Sequence, residues 1–240
     1  MRVLLTRPRA DSENLAETLR SRGMKVIIEP MLDIVPLGSV PPLEGVTGLI
    51  VTSANAIRAF AAACDRRDLE VYSVGDATAL AAKEAGFTIV ESAQGDSVAL
   101  GALIAARVRT DAGTLLHIQG RNVTGNLNTS LESNRFSVRS AVLYGAEAVD
   151  ELSLATRDYI KGQKIDAILF FSPRTARTFV RLVTEAGLAD RCALINSICL
   201  SSAVADAGSA LIWCDVHIAA APDKAAMLNL CEAVQESRQA

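Results

Sequence analysis

Two stretches decide the fold, GLIVTSANAIRAF at 48–60 and AILFFSPRTARTF at 167–179. Each begins with a short apolar run, reaches a serine, and continues with apolar residues at helical spacing, so each reads as strand, turn and helix start. Aligned, they place Ser53 on Ser172, Ala56 on Thr175, Arg58 on Arg177 and Phe60 on Phe179, an offset of 119 residues read from the numbering of the two serines. Self-similarity at that distance points to one α/β unit used twice, a tandem internal duplication.

The likeness extends outward from the serines. VYSVGDATALAAKEAGF (71–87) lies against SICLSSAVADAGSA (197–210), which puts Gly75 on Ser201 and Thr78 on Val204. RVLLTRP near the start matches TLLHIQG more weakly. Short apolar runs at 3–5, 26–28, 49–51, 71–74, 88–90 and 115–118 alternate with helical patterns at 12–21, 54–63, 78–85 and 97–108. That alternation predicts doubly wound parallel sheets of the flavodoxin-like type, with Gly23 and Gly86 as helix stops. Segments 26–36 and 138–149 occupy equivalent places, are longer than ordinary core strands, and read as crossovers forming a two-stranded linker. One domain then comprises 1–35 with 150–240, and the other 36–149.

Composition agrees with this layout. The 240 residues suit two domains of roughly 100–130 residues each. Half the chain is apolar and 4% is aromatic, which favours helices on parallel sheets over a β-sandwich. A net charge of −3 argues against a nucleic-acid surface, so any basic site is local. The five cysteines lack CxxC spacing and read as reduced packing residues. The opening MRVLLTRPRADSENL reads as a first strand and not a signal peptide, and no apolar stretch approaches the roughly 20 residues that span a bilayer. The expectation is a cytoplasmic protein with no membrane or nucleic-acid partner, monomeric by default.

Ligands of open parallel sheets bind beyond the carboxyl ends of the strands, and the residues of chemical interest lie there. Ser53 and Ser172 read as helix N-caps, the second strengthened by Pro173. Plain capping is one reading. The other is that cap hydroxyls and free N–H groups hold carboxylates or phosphates at the positive helix ends. Thr6, Thr52, Gly75 and Thr78 hold similar strand-end or first-turn positions, and Arg7, Arg9, Arg58, Arg121, Arg174 and Arg177 could supply the counter-charge. GxxxxGK[ST], GxGxxG after the first strand and GxSxG are all missing, which weakens nucleotide and ester hydrolysis. His117 and His217 have no Cys or acidic neighbours at ligand spacing, so no metal site is expected. Tyr144, ending the run AVLY, reads either as a ligand-binding or proton-donating hydroxyl or as a packed hinge residue.

In chain order, VLLTRP, LIVTSANAIRAF, VGDATA with a helix ending in AGF, AVLY, FFSPRTA and AAAPDKAAMLNL together resemble the uroporphyrinogen-III synthase family over nearly the whole chain. The resemblance implies a cofactor-independent lyase of two similar α/β domains. Its substrate would be hydroxymethylbilane, an octacarboxylate linear tetrapyrrole, with hydroxymethylbilane synthase as a candidate upstream donor. The terminal hydroxyl leaves as water, a spiro intermediate forms, and the ring closes with its last pyrrole inverted. By the same resemblance Tyr144 assists hydroxyl departure, and Thr52, Ser53, Thr78 and Ser172 bind carboxylates. Thr6, Arg7, Arg58, Gly75, Gly120, Arg174 and Ser202 complete the expected binding set. One turn departs from the pattern: Ser201 stands for glycine, and Val204 cannot donate a hydrogen bond, leaving backbone N–H groups such as that of Ser202. The rival reading is a non-catalytic bilobal binding or sensory protein for a small anionic ligand.

Overall fold

The computed structural model describes residues 1–122 and 125–238. The chain runs through β1 (Arg2–Leu5), α1 (Arg9–Ser21), β2 (Lys25–Ile28), β3 (Leu32–Pro36), β4 (Val46–Val51), α2 (Ala54–Ala63), β5 (Glu70–Ser73), α3 (Asp76–Glu84) and β6 (Val90–Ser92). It continues through α4 (Ser97–Arg107), β7 (Thr114–Gly120), α5 (Leu127–Ser133), β8 (Ser137–Ala148), α6 (Leu154–Lys161), β9 (Ala167–Phe170) and α7 (Pro173–Glu185). After a 3₁₀ turn at Ala189–Leu194 come β10 (Asn196–Cys199), α8 (Ser202–Ala207), β11 (Asp215–Ile218) and α9 (Lys224–Ser237). Two compact units result, Met1–Asp33 with Glu147–Ala240 and, between them in sequence, Ile34–Ala146.

In the discontinuous unit the strand order is β11-β10-β9-β1-β2, every neighbouring pair parallel. In the continuous unit it is β3-β8-β7-β4-β5-β6, with the last five strands parallel. The two parallel sets therefore share one order. From β7 the chain moves outward to β8, and from β4 it moves the opposite way to β5 and β6. From β1 it moves to β2, and from β9 the opposite way to β10 and β11. Each sheet thus has a point where the winding reverses, between β7 and β4 and between β1 and β9, and the strand-to-helix loops part there to leave a crevice at the carboxyl ends.

Helices cover both faces of each sheet, which is why the central strands are apolar throughout. β4 and β9 are buried along nearly their whole length. In the continuous unit Leu49, Val51, Ile57 and Phe60 pack on one face, and Ile50, Leu100, Ile104 and Leu115 on the other. In the discontinuous unit the corresponding layers centre on Phe170, Phe179 and Ile168, and on Leu5, Leu19 and Met227.

Local chemistry sets the helix ends. Ser53, Asp96, Ser153, Ser172 and Asp223 accept hydrogen bonds from first-turn N–H groups. Gly23 (φ +78°) and Gly86 (φ +94°) end α1 and α3 in the left-handed region, and the paired bonds Met24 N–H to Leu19 and Gly23 N–H to Arg20 form a Schellman motif.

Three expectations need correction. Segment 26–36 is two strands. The ladder with β1 ends at Ile28, although Glu29 N–H and Met31 N–H still donate to the Leu5 and Thr6 carbonyls, and β3 joins β8 instead. The Glu29 carboxylate accepts from Ser153 N–H (2.6 Å), Ser153 Oγ (2.8 Å) and Thr156 Oγ1 (2.8 Å), fixing the start of α6. The strand expected at 88–90 lies at Val90–Ser92, two residues further on. Cys192, Cys199 and Cys231 are buried, and burial pushes the Cys192 and Cys231 thiols up to about 12; Cys214, however, is exposed and packs nothing.

Candidate functional site

In the continuous unit, β4 delivers Thr52 and Ser53 to the reversal point. Ser53 leaves the strand in extended geometry (φ −154°, ψ 153°) and its Oγ accepts from Ala56 N–H at 3.1 Å, capping α2. The same oxygen lies 2.8 Å from Tyr144 Oη. A serine hydroxyl has two lone pairs and one proton, so with Ala56 on one lone pair it can still donate to Tyr144 or accept from it. No acidic residue occupies the first turn of α2, so the positive end of that helix is unopposed from within the helix and favours negative charge at the hydroxyl pair.

Tyr144 reaches Ser53 through an irregularity in β8. The register pairs Gln119 with Val142 but Gly120 with Tyr144, skipping Leu143. By strand alternation Ala141 and Leu143 face the α2 side, and Tyr144 should face the other way. The extra residue turns it back, and Tyr144 packs against the same apolar layer as Ala141 and Leu143. Gly120 makes room for it: a Cβ there would sit 2.7 Å from Tyr144 Cζ and 3.0 Å from its Oη. Arg121 N–H then donates to the Tyr144 carbonyl at 2.9 Å. Gly120 is accordingly the seat of the tyrosine ring.

The other expected residues of this unit fall around the same strand ends. Gly75 caps α3 with φ −161° and ψ 172°, backbone any residue adopts, and open space surrounds the position of a Cβ. Thr78 lies one turn on and is 5% exposed. Arg58 Nη1 donates to Asn55 Oδ1 at 3.2 Å, holding its guanidinium along α2.

The discontinuous unit repeats part of this geometry. Ser172 has φ −151° and ψ 151° and accepts from Thr175 N–H at 3.2 Å, with Pro173 in the first helical position. Arg174 is half-buried in the first turn of α7 and makes no ion pair among the described residues. Ser201 matches Gly75 in conformation (φ −159°, ψ 168°), and Ser202 is exposed at the start of α8. Val204 belongs to the core around Phe170 and Phe179, so at that position packing has replaced polarity. Thr6 departs from expectation: fully buried, it donates its hydroxyl to the Leu169 carbonyl at 2.7 Å and ties β1 to β9. Arg7 stacks 4.9 Å over the Phe171 ring and sits 3.8 Å from Asp11.

One group was missed by sequence reasoning. His117 is 2% exposed, with Nδ1 2.6 Å from Asn128 Oδ1 and 2.9 Å from Gln119 Nε2. Asn128 donates onward to Ser140 Oγ at 2.6 Å. Its one available signal was parity: His117 and Gln119 share a face of β7, two polar residues among the apolar Leu115, Leu116 and Ile118. No cluster of His, Cys, Asp and Glu able to hold a metal occurs among the described residues.

Residues 13–229 match the family model for uroporphyrinogen-III synthase HemD. The porphyrin biosynthesis protein HemD of Ruminiclostridium josui is 26% identical over 225 residues, 86% of this chain; the chain spans 43% of that protein. A uroporphyrinogen-III synthase of Chlorobaculum parvum is 25% identical over 202 residues, 78% of this chain and 81% of its own length. The crystal structure of uroporphyrinogen-III synthetase from Helicobacter pylori shares the fold, with a TM-score of 0.65 at 16% identity over 98% of this chain and 100% of that one. With nine-tenths of its length matched, the chain belongs to the uroporphyrinogen-III synthase family.

Proposed function

We propose that the chain is a lyase that cyclises hydroxymethylbilane to uroporphyrinogen III with loss of water and inversion of the last ring, in tetrapyrrole biosynthesis, and that it does so without a cofactor. The observation that carries the mechanism is the Ser53–Tyr144 hydroxyl pair, 2.8 Å apart at the reversal point of one sheet. When Ser53 donates to Tyr144 Oη, the phenolic O–H is free to protonate the departing hydroxyl, and the first turn of α2 steadies the charge left behind. The carbon that loses water then meets the substituted position of the last pyrrole. The bilane closes unaided to the symmetrical isomer, so the protein's main task is to hold the chain in the spiro geometry.

Holding falls to Thr52, Thr78, Ser172 and the helix N-terminal N–H groups, with Arg58 and Arg174 supplying positive charge for the carboxylates. Gly75 and Ser202 offer backbone in the same turns. Thr6 and Gly120 support the site from within, the first by fixing a strand and the second by seating Tyr144. The protein works as a monomer in the reducing cytoplasm, which suits unpaired cysteines, and can take its unstable substrate from hydroxymethylbilane synthase. The test is to give purified protein hydroxymethylbilane and separate the oxidised product isomers. Isomer III is expected; isomer I alone refutes the reading.

A further inference from the structure

In the discontinuous unit the winding reverses between β1 and β9, and Arg7 and Phe171 lie just beyond those strand ends. The ladder runs in register to Leu5 opposite Leu169, so counting on two residues sets Arg7 beside Phe171, on the face that Leu5 shares. Their contact agrees: the guanidinium lies over the phenyl ring, 4.9 Å from its centre. The ring itself is half-buried against the layer of Leu5, Leu19 and Met227, so the core fixes the platform on which the cation rests.

The like stretches of the continuous unit supply a comparison. RVLLTRP on TLLHIQG puts Arg7 on Gln119, and LFFSPRT on IVTSANA puts Phe171 on Thr52. There the ladder reaches Ile118 opposite Val51, so Gln119 and Thr52 are the next pair, and both are neutral. Both members of the pair therefore differ: an amide and a hydroxyl at one reversal point, a cation on an aromatic face at the other. An arginine already held against a ring loses less freedom when it binds an anion than one that swings in solvent.

Arg7 keeps capacity for a ligand. Its contact with Asp11 spans 3.8 Å, against about 2.8 Å for a charge-assisted hydrogen bond, and its side chain is 35% exposed. The guanidinium carries five N–H donors in a fork that matches a carboxylate, and a ring over one face leaves the donors in its plane untouched. Ser172 directly follows Phe171 and caps α7, whose first turn holds no acidic residue.

We infer that Phe171 is a positioning residue of the discontinuous unit: its ring holds the Arg7 guanidinium at the strand ends, where it takes one carboxylate arm of the substrate. The identity of that arm rests on the function proposed above. Arg7 acts in binding, and Phe171 acts through Arg7.

The experiment follows the arginine Nε–H correlations of the ¹⁵N-labelled full chain during titration with propionate and, in parallel, propionamide, with Arg7→Gln assigning the Arg7 signal. The expected result is saturable movement of that signal with propionate and not with propionamide, and a response at least threefold weaker in Phe171→Leu, which keeps an apolar side chain against the core. No movement, equal movement with both ligands, or an undiminished response in Phe171→Leu overturns the inference. A second arm is a double-mutant cycle on KM for hydroxymethylbilane. Arg7→Gln should raise KM about tenfold, as loss of a hydrogen bond to a charged group does, with kcat within about twofold. Phe171→Leu should raise KM about threefold, the worth of a cation–π contact at a partly exposed site. Added to Arg7→Gln, it should raise KM no further; a second threefold rise gives the ring a role of its own and overturns the inference. If the wild-type protein yields isomer I alone, the proposed activity fails, and the propionate titration still decides the Arg7 subsite separately.

Discussion

At the scale of single residues, the site depends on one extra residue in β8. Leu143 is skipped in the pairing with β7, and the skip points Tyr144 toward Ser53 when alternation would have sent it to the opposite face. Two substitutions probe this. Tyr144→Phe keeps the ring in its seat and removes the hydroxyl, so isomer III formation should slow by about 10²-fold or more while the thermal midpoint stays within a few degrees. Gly120→Ala puts a methyl group 2.7 Å from Tyr144 Cζ, and overpacking of this kind costs about 1–3 kcal/mol. It should slow the reaction comparably and also lower stability in a urea titration; an active, fully stable Gly120→Ala protein would remove glycine from its role as seat. The sequence displayed Tyr144 and Gly120 as strand ends. Their contact was hidden because a bulge shifts parity, and parity is what strand reading relies on. His117 was hidden for a related reason: its partner Asn128, and Ser140 to which Asn128 donates in turn, lie on a helix and a strand whose positions only the assembled sheet defines.

At the scale of elements, strand-turn-helix units were the most legible feature, since apolar runs, cap serines and stop glycines act within a few residues of one another. Ser53 and Ser172 cap their helices with dihedral angles within three degrees of each other, and Gly75 and Ser201 within four. Less legible was the break at Pro30, where apolar residues continue through a change of sheet. The two cap serines separate structure from chemistry. Alanine at either should cost about 1 kcal/mol in urea unfolding, the usual value of a lost cap. Only Ser53→Ala also strips Tyr144 of its partner, so it should lower the rate of isomer III formation well beyond Ser172→Ala. Equal effects on rate would place both serines in capping alone. Gly75→Ser, by contrast, should leave stability within about 0.5 kcal/mol, because the backbone is already extended and the space is open.

At the scale of the whole molecule, acid should act on the continuous unit through His117. Burial holds its pKa below the ordinary 6.5, so as pH falls below that value the unfolded chain takes up a proton that the native unit refuses. The stability it contributes is whole above pH 6.5 and is lost on the way down to the native pKa. Urea midpoints measured between about pH 5 and 7.5 should decline in that window, and His117→Gln should flatten the decline. The division of the chain has a further consequence, for the order in which the protein is made. All the parallel strands of the Ile34–Ala146 unit leave the ribosome in one uninterrupted stretch, so its sheet can close while translation continues. β1 and β2 emerge earlier and yet must wait, because Val3 pairs with Ala167 and the partner strand is synthesised only after the other unit is complete. Until then two apolar strands of the nascent chain have an open edge, a natural substrate for a holding chaperone, and strands translated before the continuous unit find their place after it.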